Sequence, residues 1–352
     1  ADKEVADQVL LRQAWNLFRS DQKKKAADAF MRYADRFPGT PLATSAVFNA
    51  GISRFETGDY AGATPLFARA METAGDAAQT ADARYWGGLC LFNQGLYAET
   101  AGMLEPLIAK TPDHLTPEQK ETLAAVHGRA LAKTDRLADA IAGLNAFIAQ
   151  YPASKLAPNV SFALANCLAK TGEVEDAATV LKNLLTKAPD AELRPHVLFA
   201  LGEFLYRSKK PTEALPYLEE LAASNKADAK ATYRLAWVLF DLDQFDRSMK
   251  AFAEVAESTS PLADEAQYMT GRAAEDAGKQ DAASAAYSKL AASEQTHEFV
   301  EKALYRLGFL LKGDRATANL TRYTKQFPDG QYAPEMELKL AESAFADGQV
   351  EA

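Results

Sequence analysis

The chain has 352 residues, 48% of them hydrophobic and 25% charged, and carries a net charge of -9. That acidity fits nucleic-acid phosphates and anionic lipid poorly, and no apolar run approaches the ~20 residues that would span a bilayer. Cys90 and Cys167 are too few for a disulfide framework, and His114, His127, His196 and His297 are scattered without ligand spacing, so neither metal nor cofactor is expected.

Alanine is frequent while Val and Ile are sparse, which favours helix. From the N-terminus, a first helix begins near Val5 and reaches a small residue at Ala14. A second helix carries Ala26 and Phe30 and stops before Pro38. The next segment repeats this plan: Val47-Phe48-Asn49-Ala50-Gly51, a turn at Gly58, then Ala63 and Phe67. It recurs at Ala83-Arg84-Tyr85-Trp86-Gly87-Gly88, with Gly95, Leu104 and Pro112. Residues 111–118 form a turn-rich insertion, after which a helix starts near Pro117 with Thr116 as its cap. Small residues follow at Gly128, Ala165, Gly202, Ala236, Gly271, Gly308 and Ala341, and the interval between successive slots is 33 to 40 residues.

The downstream marks keep step. A turn comes seven residues after the slot, as at Gly172, Gly278 and Gly348. Small residues at Ala140, Ala177, Ala214 and Ala283 are each followed one helical turn later by Leu144, Leu181, Leu218 and Tyr287. Large residues Phe252 and Leu320 hold the same place, and Pro152, Pro189 and Pro328 end second helices. The slot admits nothing larger than a methyl because two helices cross there. The ninth unit is four residues short in its turn (312–315). The tenth has a first helix, Ala333–Ala346, and the chain then stops at Ala352 where a second helix is due, so the natural chain is expected to continue. All 352 residues are expected to form one solenoid, with a subdivision near 111–118 as the alternative.

A helix-turn-helix unit of this period resembles the tetratricopeptide repeat (TPR) superfamily. Three segments, Phe37-Pro38-Gly39-Thr40-Pro41-Leu42-Ala43, Tyr151-Pro152-Ala153-Ser154-Lys155-Leu156-Ala157 and Phe327-Pro328-Asp329-Gly330-Gln331-Tyr332-Ala333, share an aromatic-Pro punctuation. This is similar to bacterial cell-envelope members such as the Tol-Pal-associated periplasmic coordinator and the outer-membrane assembly lipoprotein, although those families have fewer repeats. The resemblance implies an all-α right-handed superhelix of nine to ten repeats whose first helices line a concave groove. It also implies a periplasmic or cell-envelope location, with the cytoplasm as alternative.

On that register an aromatic stripe runs through Phe48, Tyr85, Phe162, Phe199, Tyr233, Tyr268 and Tyr305, as a groove wall or as core between helices. Cations and rings gather on units seven to nine, giving Lys230, Tyr233, Arg234, Trp237, Tyr268, Arg272, Lys302, Tyr305 and Arg306 as the expected peptide-binding residues. They form either a carboxylate-binding, salt-sensitive site or a solvated face bridged to Asp241, Glu265 and Glu275. The lysine clamp of eukaryotic cochaperones is missing, since the slot three before the small residue is aromatic or apolar.

No phosphate loop, dinucleotide fingerprint, Gly-x-Ser-x-Gly elbow or His-Glu-x-x-His helix occurs, and the glycines sit at repeat slots. The expected function is therefore a non-catalytic scaffold for a protein or peptide segment. The alternatives are a self-assembling structural protein, or a recruiting module of a larger enzyme or secretion machine. One whole unit separates Cys90 from Cys167, so no bridge between them is expected.

Overall fold

The structure, a computed structural model, describes residues 2–187, 190–224, 227–294 and 296–346. Pro189, Gly348 and Ala352 lie outside them. Among the described residues there are nineteen helices and no strand. They fall into two compact units, Ala1–Thr186 and Lys187–Ala352.

In the first unit, α1 (Asp2–Arg19) pairs with α2 (Lys23–Arg36), α3 (Pro41–Glu56) with α4 (Tyr60–Glu72), and α5 (Ala77–Asn93) with α6 (Tyr97–Ala109). Then come α7 (Pro117–Leu131) with α8 (Leu137–Gln150) and α9 (Ala157–Thr171) with α10 (Val174–Thr186). The insertion at 111–118 lies inside this unit, between α6 and α7. The second unit holds α11 (Leu193–Arg207) with α12 (Pro211–Ala223), α13 (Ala229–Asp241) with α14 (Phe245–Ala256), α15 (Ala263–Asp276) with α16 (Gln280–Ala291), and α17 (Glu298–Leu310) with α18 (Asp314–Gln326). It ends on α19 (Ala333–Ala346). Connections this short make neighbours antiparallel.

Local chemistry sets these boundaries. Thr40, Asp59, Asp76 and Asp228 cap α3, α4, α5 and α13 by accepting a backbone N–H in the first turn. Thr116 and Gln119 form a reciprocal capping box before Pro117. The aromatic-Pro signature has a structural cause. Phe37, Tyr151 and Phe327 each end a second helix with φ between -125° and -131° and ψ between 54° and 59°, and each N–H reaches back four residues, to Tyr33, Phe147 and Tyr323. Their rings lie 5.1–5.7 Å from those same three rings. The following proline disfavours further helix and fixes the exit.

Nine of the ten small slots are buried. The residue sixteen positions on, in the second helix, rests against most of them. A Cβ added at Gly51 or Gly128 would lie 2.9 Å from Phe67 or Leu144, and at Gly202 2.6 Å from Leu218. In the shortened ninth unit, Gly308 meets Leu320 and Met336 instead. The tenth slot, Ala341, is exposed, contrary to the pattern of the other nine. No described second helix covers it.

In seven units the turn position seven residues after the slot is left-handed. Gly58, Gly95, Gly172 and Gly278 have φ of 72–94°, and Asp21, Lys209 and Asp243 take φ of 58–60° at the same place. Both cysteines are buried and free, and burial pushes the Cys90 thiol up to about 12.

Candidate functional site

In the second unit, α13, α15 and α17 are the first helices of three successive pairs, and α14 and α16 cover their slots. Three of the aromatic residues three positions before the slot lean onto the second helix of their own pair. Tyr233 meets Phe252 and Tyr268 meets Tyr287, each with ring centroids 5.6 Å apart, as Phe48 meets Phe67 at 5.6 Å in the first unit. Each of these rings is therefore in part core and in part surface. Tyr233, Tyr268 and Tyr305 are all half-buried, whereas Tyr85 in the first unit is fully buried.

Four of the five cations have a carboxylate beside them. Arg234 donates through Nε to Glu203 Oε2 at 2.6 Å and through Nη2 to Glu203 Oε1 at 3.2 Å, and its guanidinium lies 4.7 Å from the Tyr206 ring centroid. Arg306 Nη1 is 3.6 Å from Glu275 Oε2, and Arg272 Nε lies 3.9 Å from the same oxygen. Lys302 pairs with Glu298 one turn away while reaching over Tyr268 and Phe299. Lys230 is exposed, 5.4 Å above Phe199. Tyr305 stacks on Tyr332 at 4.0 Å and donates to Glu335 Oε2 at 3.1 Å.

Three carboxylates, Glu203, Glu275 and Glu298, thus offset much of the positive patch expected from the first-helix residues. The carboxylates come from neighbouring turns and helices: Glu203 follows the Gly202 slot, and Glu275 lies one turn after Gly271. Of the three acids named from sequence, only Glu275 takes arginines. Asp241 hydrogen-bonds Tyr206, whose hydroxyl burial and that bond push up to about 12, and Glu265 hydrogen-bonds Tyr233, which burial and the same kind of bond also raise. Met269 of α15, at the register position that Arg234 and Arg306 hold in α13 and α17, is buried.

Trp237 completes the arrangement. It sits half-buried against Tyr233, Phe240 and Phe252, edge to face at 5.6–6.3 Å. The face therefore offers fixed aromatic edges beside guanidinium–carboxylate pairs. Planar groups held this way lose little rotamer freedom on contact with a partner. Glu203, Tyr206, Glu298, Tyr332 and Glu335, all partners in this lattice, were not singled out from sequence as binding residues. Their signal was available in one case, since Glu203 stands at a first-helix register position.

No described helix is long and apolar enough to cross a membrane, and no group of three or more His, Cys, Asp or Glu among the described residues could hold a metal ion. Tetratricopeptide-repeat sequence profiles match residues 11–78, 126–192 and 205–261, together a little over half of the chain. No curated protein matches it. Among solved structures, the chain is similar to the C-terminal part of a TPR repeat-containing protein from Cytophaga hutchinsonii, with 15% identity over 72% of this chain and 98% of that one and a TM-score of 0.59. A tetratricopeptide repeat protein from Parabacteroides merdae shares 11% identity over 75% and 98%, with a TM-score of 0.49. The likeness to the Cytophaga protein is one of fold.

Proposed function

We propose that this chain, which belongs to the tetratricopeptide-repeat superfamily, is a non-catalytic scaffold that holds a protein segment on the first-helix face of residues 187–352. TPR folds typically mediate protein–protein interaction. The observation that carries the site is the row of half-buried Tyr233, Trp237, Tyr268 and Tyr305, set beside Arg234, which Glu203 holds through two hydrogen bonds, and Arg272 and Arg306, which lie within 3.9 Å of Glu275. Lys230 and Lys302 form its charged rim.

Because the guanidiniums are already paired, the partner is held by ring faces and directed N–H donors more than by net charge, and salt weakens it only modestly. A bare carboxylate would have to displace Glu203 or Glu275. The aromatic-Pro punctuation supports a place in a bacterial cell envelope, which fractionation of the source cells tests.

A partner is first identified by crosslinking in a native lysate. Trp237→Ala and Arg234→Ala should each weaken its binding by about 1–2 kcal/mol with helicity unchanged. Unchanged affinity in both, with loss on altering residues 111–118, overturns the assignment of this face.

A further inference from the structure

The insertion between α6 and α7 borders an open trough in the first unit. Ala77, Ala78 and Ala81 of α5 line it together with Pro106 and Leu107 of α6 and Pro112 of the insertion, around a volume of about 710 Å³. That is room for more than one side chain. The insertion is pinned in place. His114 Nε2 hydrogen-bonds Asp82 Oδ1 at 2.9 Å, Lys120 Nζ donates to the Asp113 carbonyl at 3.3 Å, and Leu115 is buried. The trough is therefore preformed, and little chain ordering opposes a ligand that enters it.

Its charge runs against that of the chain, whose net charge is -9. Arg84, Lys110 and His114 line the trough beside one carboxylate, that of Asp113. Unlike Arg234, which Glu203 takes, Arg84 donates through Nη1 to the Met103 carbonyl at 3.3 Å. Among the described residues neither Arg84 nor Lys110 enters an ion pair. The helix register then places the two cations. Arg84 meets Met103 across the antiparallel pair, so Ala77, seven residues back along α5, stands beside Lys110, seven residues on along α6. Lys110 and Arg84 thus sit at opposite ends of the trough, about 10 Å apart along the helices. On a docked helix that distance is two turns. Carboxylates at i and i+7 would meet both cations, and apolar residues at i+3 and i+4 would share their face. The small side chains of Ala77 and Ala78, both exposed, let such a helix come close.

We propose that this trough docks an acidic amphipathic helix of another protein, with two carboxylates two turns apart on Lys110 and Arg84 and the apolar residues between them over Ala78 and Ala81. This surface belongs to the first unit and is separate from the face around Trp237.

The probe is an end-capped, alanine-based peptide of roughly 15 residues, with two Glu two turns apart and two Leu between them. It is titrated against the intact protein by fluorescence anisotropy. Saturable binding is expected, weakened roughly fivefold or more by Lys110→Glu or Ala78→Gln and tightened by Asp113→Asn. A peptide with one Glu replaced by Lys should reverse the order and bind the Lys110→Glu protein more tightly than the parent. Lys110, Ala78 and Asp113 are all exposed, so circular dichroism should show unchanged helicity. No saturable binding up to about 1 mM overturns the proposal, as does binding indifferent to both Lys110 and Ala78. Light scattering showing a dimer that Lys110→Glu dissociates would identify a second copy as the occupant and overturn it too.

Discussion

The hydroxyl of Tyr287 donates to Glu275 Oε2 at 2.7 Å, joining the covered end of the α15 slot to the carboxylate that forms ion pairs with Arg306 and Arg272. The Tyr287 side chain is fully buried, so core and surface meet at one carboxylate oxygen.

Replacing that carboxylate should therefore cost stability as well as binding. Glu275→Leu leaves the Tyr287 hydroxyl unsatisfied and should destabilise by about 1–3 kcal/mol in urea unfolding. Adding Tyr287→Phe should return part of the loss. Strict additivity of the two substitutions would mean they are not coupled.

The crossing at Gly202 should tolerate no side chain. A Cβ there would fall 2.6 Å from Leu218 Cγ, so Gly202→Leu should cost on the order of 1–3 kcal/mol by overpacking. The same substitution at Gly102, where nothing lies within 4 Å of an added Cβ, is the control. Equal losses at the two sites would contradict the crossing geometry.

Lys209 should be improvable. It sits at φ 60° in a turn position that four other repeats fill with glycine. A left-handed non-glycine residue costs about 1–2 kcal/mol, offset in part by the chain entropy of glycine. Lys209→Gly should raise stability by up to about 1 kcal/mol, whereas Lys209→Ala should not raise it.

His127 should make the fold acid-sensitive. It is buried in α7, and among the described residues nothing hydrogen-bonds its Nε2. Burial holds the imidazole below its ordinary 6.5. Glu105 of α6 and Asp139 of α8 pull it up, and Arg136, at the start of α8, pushes it down. The unfolded chain then binds the proton more tightly. Stability is full above the unfolded value and is lost as pH falls below about 6.5. Urea midpoints should decline between roughly pH 7.5 and 5.5, a window above most carboxylate titration. His127→Leu should flatten that decline, and an unchanged slope would rule the residue out.

The repeat register was legible in the sequence because the contact behind it is local. A slot and its cover are sixteen residues apart on two helices joined by a short turn, so composition at fixed spacing records the packing directly, as Gly202 and Leu218 do. The helix ends were legible for the same reason, since Thr116 and the prolines act within a turn of themselves. The electrostatics of the candidate face were not. Arg234 and Glu203 stand 31 residues apart on successive first helices, and Arg306 and Glu275 likewise meet across two helices. Whether such side chains face one another depends on the stacking offset between repeats. A one-dimensional count of cations does not contain that offset, so the tertiary structure decided that the arginines of the patch are paired. It also decided which side of α19 is covered, because that depends on where Met336 and Ser343 land against α17 and α18 rather than on the apolar pattern of the helix itself.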